Sequence, residues 1–272
     1  MEILIAIGIL GGLGLIFGLI LAAASKIFFV ETDPRLEKLT ACLPGANCGG
    51  CGYAGCGTYA EAVLNGAAAI GQCASGGNDC ALAMSEIMGV KAEEVTRKVA
   101  LVRCSGFRSV DPSGAELGAK MKAEYEGFRD CLAASKVGGR GPLVCKYGCL
   151  GFGNCTKVCK YDAIHVVDGV AKVDKEKCVG CMSCAKACPR SLIVPVEYDK
   201  HVLIACASEA KGAVTVRGCS QGCIGCGLCT KVCPEGAIHL EKHLAVIDYS
   251  KCTSCGLCAD VCKKHLIHSH GN

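Results

Sequence analysis

Cys178, Cys181, Cys184 and Cys188, the last followed by Pro189, set a spacing that returns at Cys223, Cys226, Cys229 and Cys233-Pro234. A third run, Cys252, Cys255, Cys258 and Cys262, keeps it with Lys263 in place of the proline. Three thiolates three residues apart wrap one corner of an iron–sulfur cubane. The fourth sits a turn further on and points at a neighbouring cluster, as in two-cluster ferredoxins. Zinc more often takes two cysteine pairs separated by a long gap. The chemistry of such a pattern is one-electron transfer.

Crossed ligation then groups the thiols. Cys145, Cys149 and Cys155 are expected to hold one 4Fe-4S cluster with Cys188, and Cys178, Cys181 and Cys184 another with Cys159. Cys223, Cys226 and Cys229 are expected to join Cys262, and Cys252, Cys255 and Cys258 to join Cys233. The Cys145–Cys159 run departs from the spacing, with Lys160 where a proline would follow. Nearer the N-terminus, Cys48, Cys51, Cys56 and, further on, Cys73 make a glycine-rich set of different spacing. A cluster is the expectation there too, with a zinc knuckle as the alternative. Five 4Fe-4S clusters use 20 of the 26 cysteines; Cys42, Cys80, Cys104, Cys131, Cys206 and Cys219 remain. They read as buried free thiols, against an extra metal site or a redox-active pair.

The elements that position these thiols repeat as well. Cys159 leads into Asp162-Ala-Ile-His, a turn at Asp168-Gly169, and Lys177-Cys178; Cys233 leads into Gly236-Ala-Ile-His, a turn near Lys242, and Lys251-Cys252. Each is a short hairpin between two cysteine runs, so a two-cluster ferredoxin-like unit occurs twice. Helices are expected near Thr58–Leu64 and Ala81–Met88 and a strand near Arg97–Val102, with a boundary at the glycines of 138–141. Residues 3–24 form a charge-free apolar run long enough to span a bilayer, with Glu2 before it and Lys26 after it. The positive-inside rule puts the N-terminus outside and the cysteine-rich part in the cytoplasm, where thiols stay reduced. Glycines at 8, 11, 12, 14 and 18 suit packing against a partner helix.

The expected fold is α+β: one N-terminal transmembrane helix, a small glycine-rich 4Fe-4S domain and two tandem two-cluster ferredoxin-like units. The segments are 1–26 for the anchor, 31–90 for the N-terminal cluster domain, 91–138 for a connection, and 139–200 and 214–272 for the ferredoxin-like units. Residues 139–272 hold 17 Lys and Arg against 11 Asp and Glu. Each oxidised cubane with its four thiolates carries about −2, which cancels that excess. A docking surface would then rest on local lysines such as Lys263-Lys264. The histidines lie between 165 and 270 without a metal-binding spacing, and His265, His268 and His270 read as a solvated tail. Nothing points to nucleic acid.

A glycine-rich apolar helix, then CLPGANCGGCGYAGCGTYAEA, then ferredoxin motifs resembles the B-subunit family of Rnf complexes, the ion-translocating ferredoxin:NAD+ oxidoreductases. The resemblance runs over essentially the whole chain and fits the long form with two ferredoxin units. It implies a membrane subunit, cytoplasmic in its cluster domains, that takes electrons from reduced ferredoxin and relays them to membrane and NAD-binding partner subunits. The enzyme is then the redox-driven translocase, and this chain holds no substrate or NAD site of its own. Other Rnf subunits attach flavin at a threonine in an S/T-G-A-T motif; Ser113-Gly-Ala-Glu116 lacks it, so no flavin is expected. No glycine-rich dinucleotide fingerprint follows a strand either. Another membrane oxidoreductase, hydrogenase- or formate-linked, could use a similar relay. A redox sensor would need a signalling module that no segment is long enough to hold.

Overall fold

The computed structural model describes residues 2–27, 33–91, 95–106, 108–110 and 116–269, with the side chains of the first helix described at Gly8 and over 10–26. The apolar N-terminal run is a single helix, α1 (Glu2–Ile27), with Lys26 in its last turn. Its described leucines stand in the open, Leu10 at 71% and Leu21 at 68% exposure. No atom lies within 4 Å of the Cβ position at any of its five glycines. The described part of α1 therefore covers none of the chain's own core. Counted over the described residues alone, which take in the α1 side chains only at Gly8 and over 10–26, no helix is long and apolar enough to cross a membrane.

Three helices build the N-terminal cysteine region: α2 (Pro34–Ala41), α3 (Cys56–Leu64) and α4 (Gly77–Met88). Pro34 opens α2, where a missing N–H costs nothing, and Asp33 caps it by accepting from the Arg35 N–H at 2.8 Å. Gly89 closes α4 in the left-handed conformation, at φ 68°. Leu39, Tyr59, Val63 and Met84 fill the core between the helices, with Cys73 and Cys80 among them. The expected helices at 58–64 and 81–88 are the bodies of α3 and α4.

Next come β1 (Lys98–Val102), β2 (Ser109–Val110), β3 (Glu116–Leu117) and α5 (Cys131–Ser135). The first ferredoxin-like core follows with α6 (Asn154–Lys157), β4 (Ile164–Val167), β5 (Val170–Val173), α7 (Ser183–Lys186) and β6 (Ile193–Glu197). Asp168 and Gly169 turn the β4–β5 hairpin with both φ positive, 50° and 73°, the primed turn that matches strand twist. β1 pairs antiparallel with β6 from Lys98↔Glu197 to Val102↔Ile193. A strand from the stretch expected to be a connection thus forms half of this unit's outer sheet. Val99, Ile164, Leu192, Val196 and Leu203 pack beneath it with the cysteines.

The second unit repeats the plan with β7 (Val202–Ile204), α8 (Gly212–Gly218), α9 (Leu228–Lys231), β8 (Ile238–Glu241), β9 (Leu244–Ile247), α10 (Leu257–Asp260) and β10 (Ile267–Ser269). β7 pairs with β10 as the outer sheet, and β8 with β9 as the hairpin. In both units the one-turn helices start after a left-handed residue (Gly153, Met182, Gly227 or Gly256) and seat a buried cysteine at their second position. Those cysteines are Cys155, Cys184, Cys229 and Cys258. The chain is a mixed α and β fold whose described sheets are all two-stranded, so little but side-chain packing around the cysteines joins one sheet to the next.

Candidate metal centres

Cys48, Cys51, Cys56 and Cys73 line one cavity of about 360 Å³, walled by Leu43, Pro44 and Tyr59. Asn47, itself left-handed at φ 46°, accepts from the Cys56 N–H at 2.7 Å and so ties the loop to the start of α3. The Cys80 thiol beside Cys73 and the N–H groups of Gly76 and Ser75 hold Cys73 below its ordinary value, while the Cys80 thiol also reaches the Met84 sulfur at 3.8 Å.

This site abuts the next one. Cys181 lines the same cavity, and a Cβ at Gly50 would lie 2.8 Å from the Cys181 carbonyl oxygen, so no side chain fits at Gly50. Ser183 donates to the Cys48 carbonyl at 3.3 Å, Lys186 to that of Gly49 at 3.2 Å and Lys160 to that of Ala46 at 2.6 Å. The N-terminal region is thereby bolted to the first ferredoxin-like unit.

The second cavity, about 350 Å³, is lined by Cys159, Cys178, Cys181 and Cys184, the set expected from crossed ligation. Backbone N–H groups aim at its sulfurs: Ala100 at Cys178 and Ala163 at Cys159, each at 3.4 Å. Burial pushes the Cys184 thiol up to about 11, and Cys178, Cys181 and Cys159 add to the rise.

The third cavity differs from the expected grouping. It is lined by Cys149, Cys155 and Cys188, as expected, but Cys131 stands where spacing places Cys145. Burial pushes Cys155 up to about 12, and the neighbouring Cys149, Cys131 and Cys188 add to the rise. The Asp130 carboxylate caps α5 by accepting from the Ala133 N–H at 2.9 Å, and its other oxygen accepts from Asn154 at 2.7 Å. Asn154, one residue before Cys155, in turn accepts from the Cys131 N–H at 2.8 Å. This triangle sets two of the four thiols. Arg190 lines the same cavity, and its buried Nε has no protein acceptor among the described residues. An N–H in that situation suits an anionic guest. Cys145 lies instead in a fourth cavity with Cys104, Cys206 and Cys219.

In the second unit, burial raises the Cys229 thiol, and Cys223, Cys226 and the distant Cys262 add to it. Burial likewise pushes Cys258 up to about 11, with Cys252 and Cys255 beside it. Cys233 packs in the same core and accepts from the Ala237 N–H at 3.3 Å, as Cys159 does from Ala163. Its link to Cys252, Cys255 and Cys258 rests on that repeat.

The donor sets fit 4Fe-4S clusters. All 26 cysteines are free of disulfides, and among the described residues no three metal-binding side chains converge tightly enough for a single ion. Four thiolates that each take a separate iron stand further apart than the ligands of one zinc. Cys42 lies at the margin of the N-terminal core. Lys264, half of the candidate docking pair, donates to the Ser220 carbonyl at 2.9 Å and so braces the fold. His268 meets the Ser105 hydroxyl at 3.2 Å and is not a loose tail; His270 and most of the Ser113–Glu116 motif lie outside the described residues.

Residues 43–75 match an Fe-S cluster family, and residues 177–237 and 222–266 match the 4Fe-4S dicluster domain family. The chain is 46% identical over 251 residues to the B subunit of the Na(+)-translocating ferredoxin:NAD(+) oxidoreductase complex of Acetobacterium woodii, covering 92% of this chain and 73% of that one. It is 40% identical to the B subunit of the proton-translocating ferredoxin:NAD(+) oxidoreductase complex of Clostridium ljungdahlii, over 88% of this chain and 81% of that one. With the B subunit of the ion-translocating oxidoreductase complex of Methanosarcina acetivorans it shares 35% identity over 90% of both chains. These extents, on top of the cysteine architecture, make the chain a member of the Rnf B-subunit family.

Proposed function

We propose that this chain is the membrane-anchored electron relay of an ion-translocating ferredoxin:NAD+ oxidoreductase, taking electrons from reduced ferredoxin and passing them to membrane partner subunits. The observation that carries the reading is the contact between two four-cysteine cavities, with Cys181 lining both. When bound, a 4Fe-4S cluster supplies reversible uptake of one electron. The chain's own residues do the rest. Cysteines hold the iron, backbone N–H groups at Ala100, Ala163 and Ala237 offset the negative charge, and apolar walls keep water away.

The ligand sets in this reading are Cys48, Cys51, Cys56 and Cys73; Cys159, Cys178, Cys181 and Cys184; Cys131, Cys149, Cys155 and Cys188; Cys223, Cys226, Cys229 and Cys262; and Cys233, Cys252, Cys255 and Cys258. The first ferredoxin-like unit then begins at β1, near residue 97, rather than at 139. α1 is the anchor, supported by the uncharged run 3–24 and by Lys26 after it. The N-terminus faces outward and the cluster domains face the cytoplasm, where thiols are reduced. No flavin or nicotinamide site belongs to this chain.

Stopped-flow mixing of the anaerobically purified chain with reduced two-cluster ferredoxin tests the role. The visible absorbance of the chain should bleach as ferredoxin is oxidised, and Cys181→Ser should slow or remove part of that bleaching. A chain that dithionite reduces but reduced ferredoxin does not would refute ferredoxin as the donor.

A further inference from the structure

The fourth cavity holds cysteines that no motif explained. Cys104, Cys145, Cys206 and Cys219 line a space of about 350 Å³, the same size as the one enclosed by Cys159, Cys178, Cys181 and Cys184. We propose that these four cysteines ligate a sixth 4Fe-4S cluster, seated between the two ferredoxin-like units.

First, the duplication places the thiols in equivalent positions. Cys104 lies two residues beyond β1 and Cys206 two residues beyond β7, each at the end of its unit's first outer strand. Cys145 precedes Cys149 by the same spacing with which Cys219 precedes Cys223. The backbone contacts repeat as well: the Cys149 N–H donates to Cys104 Sγ at 3.3 Å, and the Cys223 N–H donates to Cys206 Sγ at 3.4 Å. Each unit thus contributes an equivalent pair of thiols, and the two pairs meet in one cavity.

Second, the Cys104 and Cys206 sulfurs are met by backbone N–H donors. Cys206 takes another N–H, from Ser208 at 3.5 Å. A free thiol packed as a small hydrophobe needs no such donors, whereas ligand thiolates in the recognised sites have them at Cys178, Cys159 and Cys233. Third, the junction is built to hold still. The Lys120 N–H donates to the Gly218 carbonyl at 2.9 Å and the Ser220 N–H to the Gly118 carbonyl at 3.0 Å, while the Val144 N–H reaches the Lys120 carbonyl at 2.9 Å. A single extended stretch, 118–122, is thereby stitched to the backbone beside both Cys145 and Cys219. Cys206 and Cys219 are buried, at 8% and 6% exposure.

This site extends the relay reading, because Cys145 and Cys219 lie one short loop from Cys149 and Cys223, ligands of the flanking sites in the two units. It would join two two-cluster units into one continuous path. The test is iron, acid-labile sulfide and zinc analysis of the anaerobically purified full chain, with integrated EPR of the reduced protein. Six cubanes give about 24 iron atoms per chain. Cys206→Ser and Cys219→Ala should each lower this to about 20 with the other EPR signals kept, while Cys42→Ala should match wild type. A wild-type count of about 20, unchanged in the variants, or zinc at this site, would overturn the inference while leaving the relay reading intact. A wild-type chain without iron would refute the relay reading itself. If a variant lost more than one cluster through misfolding, the wild-type count would still decide.

Discussion

For single residues, the placement of Cys131 rather than Cys145 in the third cavity shows where spacing stops informing. Cys149, Cys155 and Cys188 are legible because their partners are close in sequence or fixed by the ferredoxin rule. Cys131 is recruited by side-chain hydrogen bonds: Asp130 caps its helix and Asn154 receives its N–H. No local pattern marks that closure, and the nearer Cys145 fills the gap on spacing alone. Asn154→Ala should therefore damage the Cys131 site first, with a loss of about four irons and retention of the Cys159, Cys178, Cys181 and Cys184 cluster. Iron analysis with EPR reads both. The same triangle gives a sign for pH. The Ala133 N–H and the Asn154 amide hold the Asp130 carboxyl below its ordinary value. Its contribution is complete above the usual carboxylate range and disappears as pH falls through the lowered value. Acid should loosen this cluster earlier in wild type than it alters Asp130→Asn, which has no charge to lose.

Among the elements, the hairpins differ in how openly their turns carry the information. Asp168-Gly169 sits in the primed turn that its sequence names. The second hairpin uses Lys242 and His243 at φ 44° and 69° without a glycine, so only the repeat with the first unit exposes it. The helices of the N-terminal region and the strand near residue 100 are legible from apolar periodicity. The partner of that strand is not, because β6 lies far along the chain and pairing between distant strands leaves no local trace. β1 serves the site directly, since the Ala100 N–H donates to Cys178 Sγ at 3.4 Å. Ala100→Pro removes that donor and stiffens β1 opposite Pro195. The expected outcome is loss of the Cys178 cluster and a lower thermal midpoint for bleaching, with the second unit's EPR signals preserved. Simultaneous loss of every cluster would mean that the two units do not fold independently around their own metal.

For the whole molecule, the elements align into a path: the N-terminal cavity meets the second through Cys181, and the first unit meets the second unit across the Cys104–Cys219 junction. The apolar helix that precedes them leaves its described surface open, as the proposed anchor requires. Composition and motif spacing make the class of chemistry plain, whereas the meeting of sites from remote stretches becomes visible only in three dimensions. The central claim is that crossed sets of four cysteines, drawn from across the chain, each hold one cubane. Iron-edge anomalous diffraction from anaerobically grown crystals tests it most directly. Compact four-iron density is expected within Cys48, Cys51, Cys56 and Cys73, within Cys159, Cys178, Cys181 and Cys184, and within Cys131, Cys149, Cys155 and Cys188. Density bound by Cys178, Cys181, Cys184 and Cys188, or by Cys145 in place of Cys131, would contradict it.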